Sequence, residues 1–284
     1  MKTVIHHVEK IQSILSFGGA KDHPQFTGDA IGKIGTAGFC LGIIGGVHLG
    51  MIIVIFAWSL LKTNQMTEVK ANGIVQDYNP MNESFSVTLL LQWSAYVTFL
   101  CFFHFAEFFI TAVKQPKVLC YRSYLIDHSV SYTLANLAAW IEFFVESFFF
   151  GRSWKHNRSF FLLGVFTLLV GQFVRSAAMW QCGQNFAHEI MTTRTEGHQL
   201  VTNGIYSKLR HPAYFGWFYW SIGTQILLCN PVCAIAYSYV SWKFFAKRIP
   251  YEEELLLRFY KDQYTNYMRS SMIGIPFISS RGSP

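Results

Sequence analysis

Four apolar stretches, residues 34–61, 85–111, 129–150 and 159–180, are each long enough to cross a bilayer as a helix. About 30 Å of hydrocarbon takes roughly 20 residues at about 1.5 Å of rise each. Lipid offers no partner to a bare backbone N–H or C=O, so an apolar segment of this length is confined to a helix. Two shorter aromatic-rich stretches, 213–229 and 231–246, meet at Asn230-Pro231 and read as a helical hairpin whose arms just reach across. Composition agrees: 51% of residues are hydrophobic and 14% charged, against about a quarter charged in an average soluble domain. The expected fold is an all-α, polytopic integral membrane bundle with six clear spans and a C-terminal hairpin. Segment 34–61 carries Gly35, Gly38, Gly42, Gly45, Gly46 and Gly50, so it is either one tilted helix or two broken ones. The amphipathic start, Val4 to Phe17, is a further candidate for entering the membrane.

Six spans place the N-terminus, the 112–128 and 181–212 loops and the tail on one side, with 16 Lys and Arg. The opposite side holds Lys62, Lys70, Arg152, Lys155 and Arg158. That asymmetry assigns the basic side, both termini included, to the cytosol. The formal net charge of +7 then needs no nucleic-acid partner, because anionic cytosolic lipid attracts it equally well. Cys40, Cys101, Cys120, Cys182, Cys229 and Cys233 show no CxxC and no pairing pattern, and they read as small hydrophobes. Pro231 interrupts helical geometry between Cys229 and Cys233, and no metal site is expected. The N-terminus lacks the compact apolar core of a cleaved signal peptide. Asn82-Glu83-Ser84 and Asn157-Arg158-Ser159 match glycosylation acceptors by pattern alone.

Nothing repeats along the chain. Residues 1–158 read as an N-terminal transmembrane scaffold, and 159–284 as a catalytic half made of the last spans, the 181–212 loop, the hairpin 213–246 and the tail. A polar loop as long as 181–212, with a turn at Asn203-Gly204, is more often functional than filler. Polar residues bracket the hairpin: Tyr206 and Arg210-His211-Pro212-Ala213-Tyr214 before it, Lys247-Arg248 and Glu252-Glu253-Glu254 after it. Folding at Asn230-Pro231 brings the two groups to one membrane face, where a charged site can form beside lipid. The tail from Tyr251 reads as a separate acidic, then amphipathic helix (Leu255, Leu256, Phe259, Tyr260, Tyr264, Tyr267). Its glutamates would sit in the first turn, so stabilising the helix dipole is the plain alternative to a catalytic role.

The ordered set His198-Gln199-Leu200-Val201-Thr202-Asn203-Gly204-Ile205-Tyr206, Arg210-His211-Pro212-Ala213-Tyr214-Phe215-Gly216 and Arg248 with Glu252-Glu253 resembles isoprenylcysteine carboxyl methyltransferases. The resemblance is strongest over 171–278 and extends weakly upstream through Phe103-His104-Phe105-Ala106-Glu107, Asp127-His128-Ser129 and Arg175-Ser176-Ala177-Ala178-Met179. It implies a multi-pass enzyme of the endoplasmic reticulum with eight membrane segments and a cytosolic active site. The implied reaction, a step of CaaX processing, moves a methyl group from S-adenosylmethionine to the C-terminal carboxylate of a farnesylated or geranylgeranylated cysteine, as on small GTPases, and leaves S-adenosylhomocysteine. Cofactor contacts carry over to His198, Gln199, Leu200, Val201, Tyr206, His211, Pro212, Ala213, Tyr214 and Glu252. The substrate-side arginine carries over to Arg248.

These residues suit that chemistry. An α-carboxyl group with a pKa of about 3.5 is already ionised at neutral pH, so methylation requires no general base. Placement is the difficulty, because an unpaired anion in a low-dielectric site costs several kcal/mol. Arg248 can hold both carboxylate oxygens and aim one at the methyl carbon. Arg175 reads either as a second carboxylate contact or as a side chain snorkelling to the interface. Tyr206 and Tyr214 can face the adenine or the sulfonium, and Glu252 can accept from the amino or hydroxyl groups. No Rossmann glycine fingerprint is present, so the cofactor pocket must be assembled from hairpin ends, loop and tail. A prenyl tail should enter sideways from the bilayer; Phe143, Phe144, Phe148, Phe166, Trp217 and Trp220 are candidate walls, with ordinary packing the competing reading.

Other polar residues admit structural readings. His104 and Glu107 share a helix face and read either as a structural hydrogen-bonded pair or, being ionisable inside a span, as functional residues. Glu142 and Glu146 line a polar crevice or pair with Arg152, and His211 caps the first hairpin helix ahead of Pro212. Competing functions are a membrane phospholipid N-methyltransferase, against which an arginine clamp argues, a sterol-type reductase sharing the Arg-His-Pro-x-Tyr motif, and a non-enzymatic lipid-binding scaffold.

Overall fold

Helix is the only regular structure in the computed structural model, which describes residues 28–71, 80–150, 155, 157–194 and 197–279; a lone bridge joins Leu209 to Met272. In chain order the helices are α1 (Gly28–Ala71), α2 (Pro80–Lys114), α3 (Val130–Val145), α4 (Arg158–Cys182), α5 (Pro212–Leu228), α6 (Pro231–Tyr260) and α7 (Asp262–Ser270). The segment from Val4 to Phe17 lies outside the described residues. Ile31–Lys62, Val87–Lys114 and Arg158–Asn185 are long and apolar enough to cross a membrane. The other three expected spans fall short of that measure. Helices α3 and α5 have 16 and 17 residues, and α6 carries Lys243, Lys247 and Arg248 within its length.

Helix α1 is one unbroken helix of 44 residues, so its glycines do not divide it. It rests on α2 where Gly45 faces Cys101 and where His48 Nδ1 lies 3.2 Å from Ser94 Oγ. Helix α3 starts at Ser129, whose hydroxyl accepts from the Tyr132 amide, and unwinds into a π turn over Glu146–Phe150. Phe148, Phe173 and Ile235 are 77%, 70% and 74% exposed. Apolar surface on this scale belongs in lipid.

Helices α4 and α5 run antiparallel with their backbones in contact. A Cβ added at Gly216 would lie 2.6 Å from both the Arg175 amide nitrogen and the Gly171 carbonyl oxygen, and one added at Gly171 would lie 2.6 Å from the Trp220 amide nitrogen. Gly164 and Gly223 repeat the arrangement one heptad away, against Leu227 and Leu168. Such glycines let membrane helices approach closely and gain dispersion and backbone contact. Of the proposed wall aromatics, Phe143 and Trp220 are core residues at 2% and 3% exposure, whereas Phe148 and Phe166 face outward.

The α5–α6 hairpin turns at Cys229, in the left-handed region at φ 51°. Lys155 Nζ lies 3.1 Å from the Leu228 carbonyl oxygen, 3.3 Å from Asn230 Oδ1 and 3.2 Å from Glu146 Oε2. Both oxygens of Glu142 accept the first free amides of α6, Val232 and Cys233, at 2.7 Å each. The turn thus has a cation at the carbonyl end of one helix and an anion at the amide end of the next, as the helix dipoles require. Glu142 is a cap and Glu146 a partner of Lys155; Arg152 falls outside the described residues.

The tail is not a separate helix at Tyr251. Helix α6 runs through Pro250 to Tyr260, so Glu252, Glu253 and Glu254 sit in its interior and the first-turn dipole reading does not apply. Proline there removes one backbone bond. The helix continues because fully buried Ile249 and buried, doubly partnered Glu253 fix it on both sides of the proline. The chain then reverses at Lys261 into α7, and the segment after α7 returns along the hairpin, with Trp242 Nε1 donating to the Pro276 carbonyl at 2.8 Å.

Candidate active site

Continuation of α6 past Pro250 puts Arg248 and Glu252 one turn apart, opposite the start of α5. The Tyr214 hydroxyl donates to Glu252 Oε2 at 2.6 Å and accepts from Arg248 Nε at 2.9 Å. The guanidinium also lies over the Tyr214 and Phe244 rings, at 5.4 and 5.6 Å from their centres. Behind this row, Glu253 Oε1 takes Arg210 Nε at 2.5 Å and His211 Nε2 at 3.1 Å. The His211 ring stacks on Tyr214 at 5.4 Å and 3°. His211 occupies the N-cap position of α5, but its side chain makes no capping bond; the ring serves Glu253 instead.

The 181–212 loop folds over these residues. Gly204, at φ 55°, begins a 3-10 turn that Gln181 pins: its Nε2 donates to the Asn203 carbonyl at 2.7 Å and its Oε1 accepts the Ile205 amide at 3.0 Å. His198 Nε2 donates to the Asn185 carbonyl at 3.0 Å, leaving Nδ1 to face the Tyr260 hydroxyl at 2.9 Å. The Gln199 amide donates to Asn185 Oδ1, and the Tyr267 hydroxyl donates to the Tyr206 carbonyl at 2.6 Å. Both ring nitrogens of His198 are therefore engaged, Nε2 within the loop and Nδ1 between loop and tail.

Between loop, hairpin and tail lies a cleft of about 700 Å³, counting the solvent at its mouth. All ten residues expected to contact a cofactor line it: His198, Gln199, Leu200, Val201, Tyr206, His211, Pro212, Ala213, Tyr214 and Glu252. Phe186, Tyr260 and Tyr264 join them. Burial pushes the Tyr206 and Tyr264 phenols far above their usual range, so both stay protonated. The Tyr264 hydroxyl is buried with no hydrogen-bond partner among the described residues, a donor available to a ligand. Aromatic faces with one carboxylate suit an organic cation that carries hydroxyl or amino groups.

A second, larger cleft opens beside the first, lined by residues such as Val118, Leu125, His128, Leu134 and His188. Phe186 and Ala187 line both clefts. Arg248 lines neither cleft itself but bonds to a wall of each: beyond its bond to Tyr214, its Nη2 donates to the His188 carbonyl at 2.6 Å. Burial, then the positive charges of Arg175 and its neighbours including Arg248, lower the affinity of His128 for a proton.

Arg175 lines neither cleft. At 6% exposure it does not snorkel; its Nε and Nη2 grip Glu107 at 2.5 and 2.9 Å, and its Nη1 reaches the Ala213 carbonyl at 3.3 Å. His104 and Glu107 do not bond to each other. His104 lies between the Tyr124 carbonyl, 2.8 Å, and the Tyr132 hydroxyl, 3.1 Å, while Glu107 takes Arg175 and His188. The sequence did not single out His188, Phe186, Ala187 or Asn185, because each gains its place only when the loop folds back between α2 and α6.

Comparison with known proteins follows the same residues. The model of the isoprenylcysteine carboxyl methyltransferase family matches residues 162–258. A protein-S-isoprenylcysteine O-methyltransferase of Xenopus laevis is 43% identical over 183 residues, 64% of this chain and 63% of that one, just under two thirds of its length. The mouse protein of that name is 41% identical over 69% of each chain. One from Arabidopsis thaliana is 38% identical over 70% of this chain and 100% of its own length. The solved structure of a eukaryotic intramembrane Ras methyltransferase of this family superposes with a TM-score of 0.66 at 31% identity, covering 84% of this chain and 98% of that one.

Proposed function

The chain belongs to the isoprenylcysteine carboxyl methyltransferase family, and on that premise we propose that it esterifies the C-terminal carboxylate of prenylated cysteine with a methyl group from S-adenosylmethionine. The observation that carries the reading is the position of Arg248, which bonds Tyr214 in the wall of the smaller cleft and His188 in the wall of the larger. In this reading the smaller cleft takes the donor. Tyr206 and Tyr214 face its adenine or sulfonium, and Glu252 and the unpartnered Tyr264 hydroxyl take its polar groups. The donor supplies an electrophilic methyl group; the protein supplies alignment.

The prenylcysteine arrives through the larger cleft and meets Arg248 as its counter-ion. Arg248 neutralises the entering carboxylate and fixes its plane without removing a proton. Orienting two reactants is worth on the order of 7 to 11 kcal/mol of barrier, which a methyl transfer without proton movement can use in full. Arg175 acts one layer behind, holding Glu107 and the Ala213 carbonyl. Residues 159–284 form the working half, with the scaffold lending the wall around 111–134. We assign six to eight spans, an endoplasmic reticulum membrane, a cytosolic site and prenylated proteins of the small GTPase type as substrates, supported by the basic asymmetry and the family. An amine-methylating or reductase activity would give Arg248 no substrate carboxylate to meet, and the reading does not adopt either.

The test is transfer of labelled methyl from S-adenosylmethionine to N-acetyl-S-farnesylcysteine by membranes containing the protein, with phosphatidylethanolamine in parallel. Ester formation on the farnesylcysteine is expected. Label only in the phospholipid would overturn the assignment.

A further inference from the structure

We infer that His188 is a positioning residue for Arg248, held in register by the buried carboxylate of Glu107. The inference rests on the reading above, in which Arg248 meets the substrate carboxylate. The His188 side chain and main chain do separate things. Its Nε2 lies 3.1 Å from Glu107 Oε2, and its carbonyl accepts Arg248 Nη2 at 2.6 Å. Glu107 is 1% exposed and is itself clamped by Arg175, so it is a fixed post rather than a mobile surface acid. The His188 ring also meets Phe186 edge-on, at 5.1 Å and 89°, and Phe186 is part of the partition between the two clefts.

These contacts form one chain of bonds that runs through the scaffold's Glu107: Arg175 to Glu107, Glu107 to His188, His188 to Arg248, and Arg248 to Tyr214. Of the Arg248 nitrogens, Nε is held by Tyr214 and Nη2 by the His188 carbonyl, and together they set the guanidinium plane. The neighbourhood of His188 is loop, with Glu189 beyond it and no helix to hold its carbonyl. Loss of the ring's bond to Glu107 therefore frees the carbonyl, and with it one edge of the arginine fork. A misplacement of about 1 Å near reacting groups costs about 100-fold.

The experiment compares wild type, His188→Leu and His188→Gln in the farnesylcysteine assay, varying each substrate separately. Leucine fills the space without a donor, while glutamine places an amide N–H near the histidine Nε2 position. His188→Leu is expected to lower kcat/KM for farnesylcysteine by about ten- to a hundredfold with KM for S-adenosylmethionine within about twofold of wild type. His188→Gln should recover most of the loss. If His188→Leu fails to accumulate, His188→Gln against His188→Asn, whose shorter amide stops short of Glu107, reads the same contrast. Full activity without a donor, a glutamine variant no better than the donorless one, or a matching rise in KM for S-adenosylmethionine would each overturn the inference. Failure of wild type to methylate farnesylcysteine would instead overturn the functional reading on which it stands.

Discussion

At the scale of single residues, the site is a row of groups that each hold another. Tyr214 is the link, since one hydroxyl serves both Arg248 and Glu252. Replacing Arg248 with Ala should abolish carboxyl methylation in membranes while leaving protein abundance unchanged, because the side chain meets the reactant rather than the core. Lysine at 248 should restore only a small part of the activity, since an ammonium cannot reproduce the flat two-pronged contact. Glu252→Gln keeps the shape and loses the charge, and near-complete loss of methyl transfer is expected, read in the same assay. Glu107→Ala differs in kind. It leaves Arg175 charged, buried and without its carboxylate, which costs about 3 to 5 kcal/mol, so loss of folded protein is expected, measured as the detergent-solubilised thermal midpoint.

At the scale of elements, two features decide whether these residues can meet. The first is the contact between α4 and α5, where Gly171 and Gly216 bring Arg175 beside the first turns of the hairpin. Gly216→Val places methyl groups where the Arg175 amide and the Gly171 carbonyl already lie, and no side chain can yield to relieve the clash. The expected result is loss of folded protein, seen as aggregation after solubilisation, whereas Gly50→Val on α1, with open space around it, should accumulate normally. The second is the passage of α6 through Pro250, which carries Glu252 and Glu253 on the same rigid rod as Arg248. Glu142, from α3, fixes the other end of that rod; Glu142→Ala should cost about 1 kcal/mol, the usual value of a lost N-cap, as a lower thermal midpoint with kcat little changed.

At the scale of the whole molecule, the smaller cleft is built from three separate stretches: the 181–212 loop, the hairpin ends and the tail through α7. A ligand that fills it ties these stretches together. S-adenosylhomocysteine at a hundred times its Kd should add about 2.7 kcal/mol, measured as a raised thermal midpoint that Glu252→Gln diminishes.

The hydrophobic runs and the polar brackets around the hairpin made the membrane class, the helical fold and the neighbourhood of Arg248, Glu252 and Tyr214 legible without coordinates, because helix period and lipid solvation act locally along the chain. The same local rules misplaced the helix start at Tyr251, since a proline normally ends a helix and only burial of Ile249 and Glu253 keeps this one going. They also paired His104 with Glu107 on spacing alone. The true partners, Tyr124 and Tyr132 for one, Arg175 and His188 for the other, come from distant elements. What only the tertiary structure decided is therefore the choice of partner for each buried charge. A charge removed from water must be met by whatever group the packing brings within reach, and sequence spacing does not encode that distance.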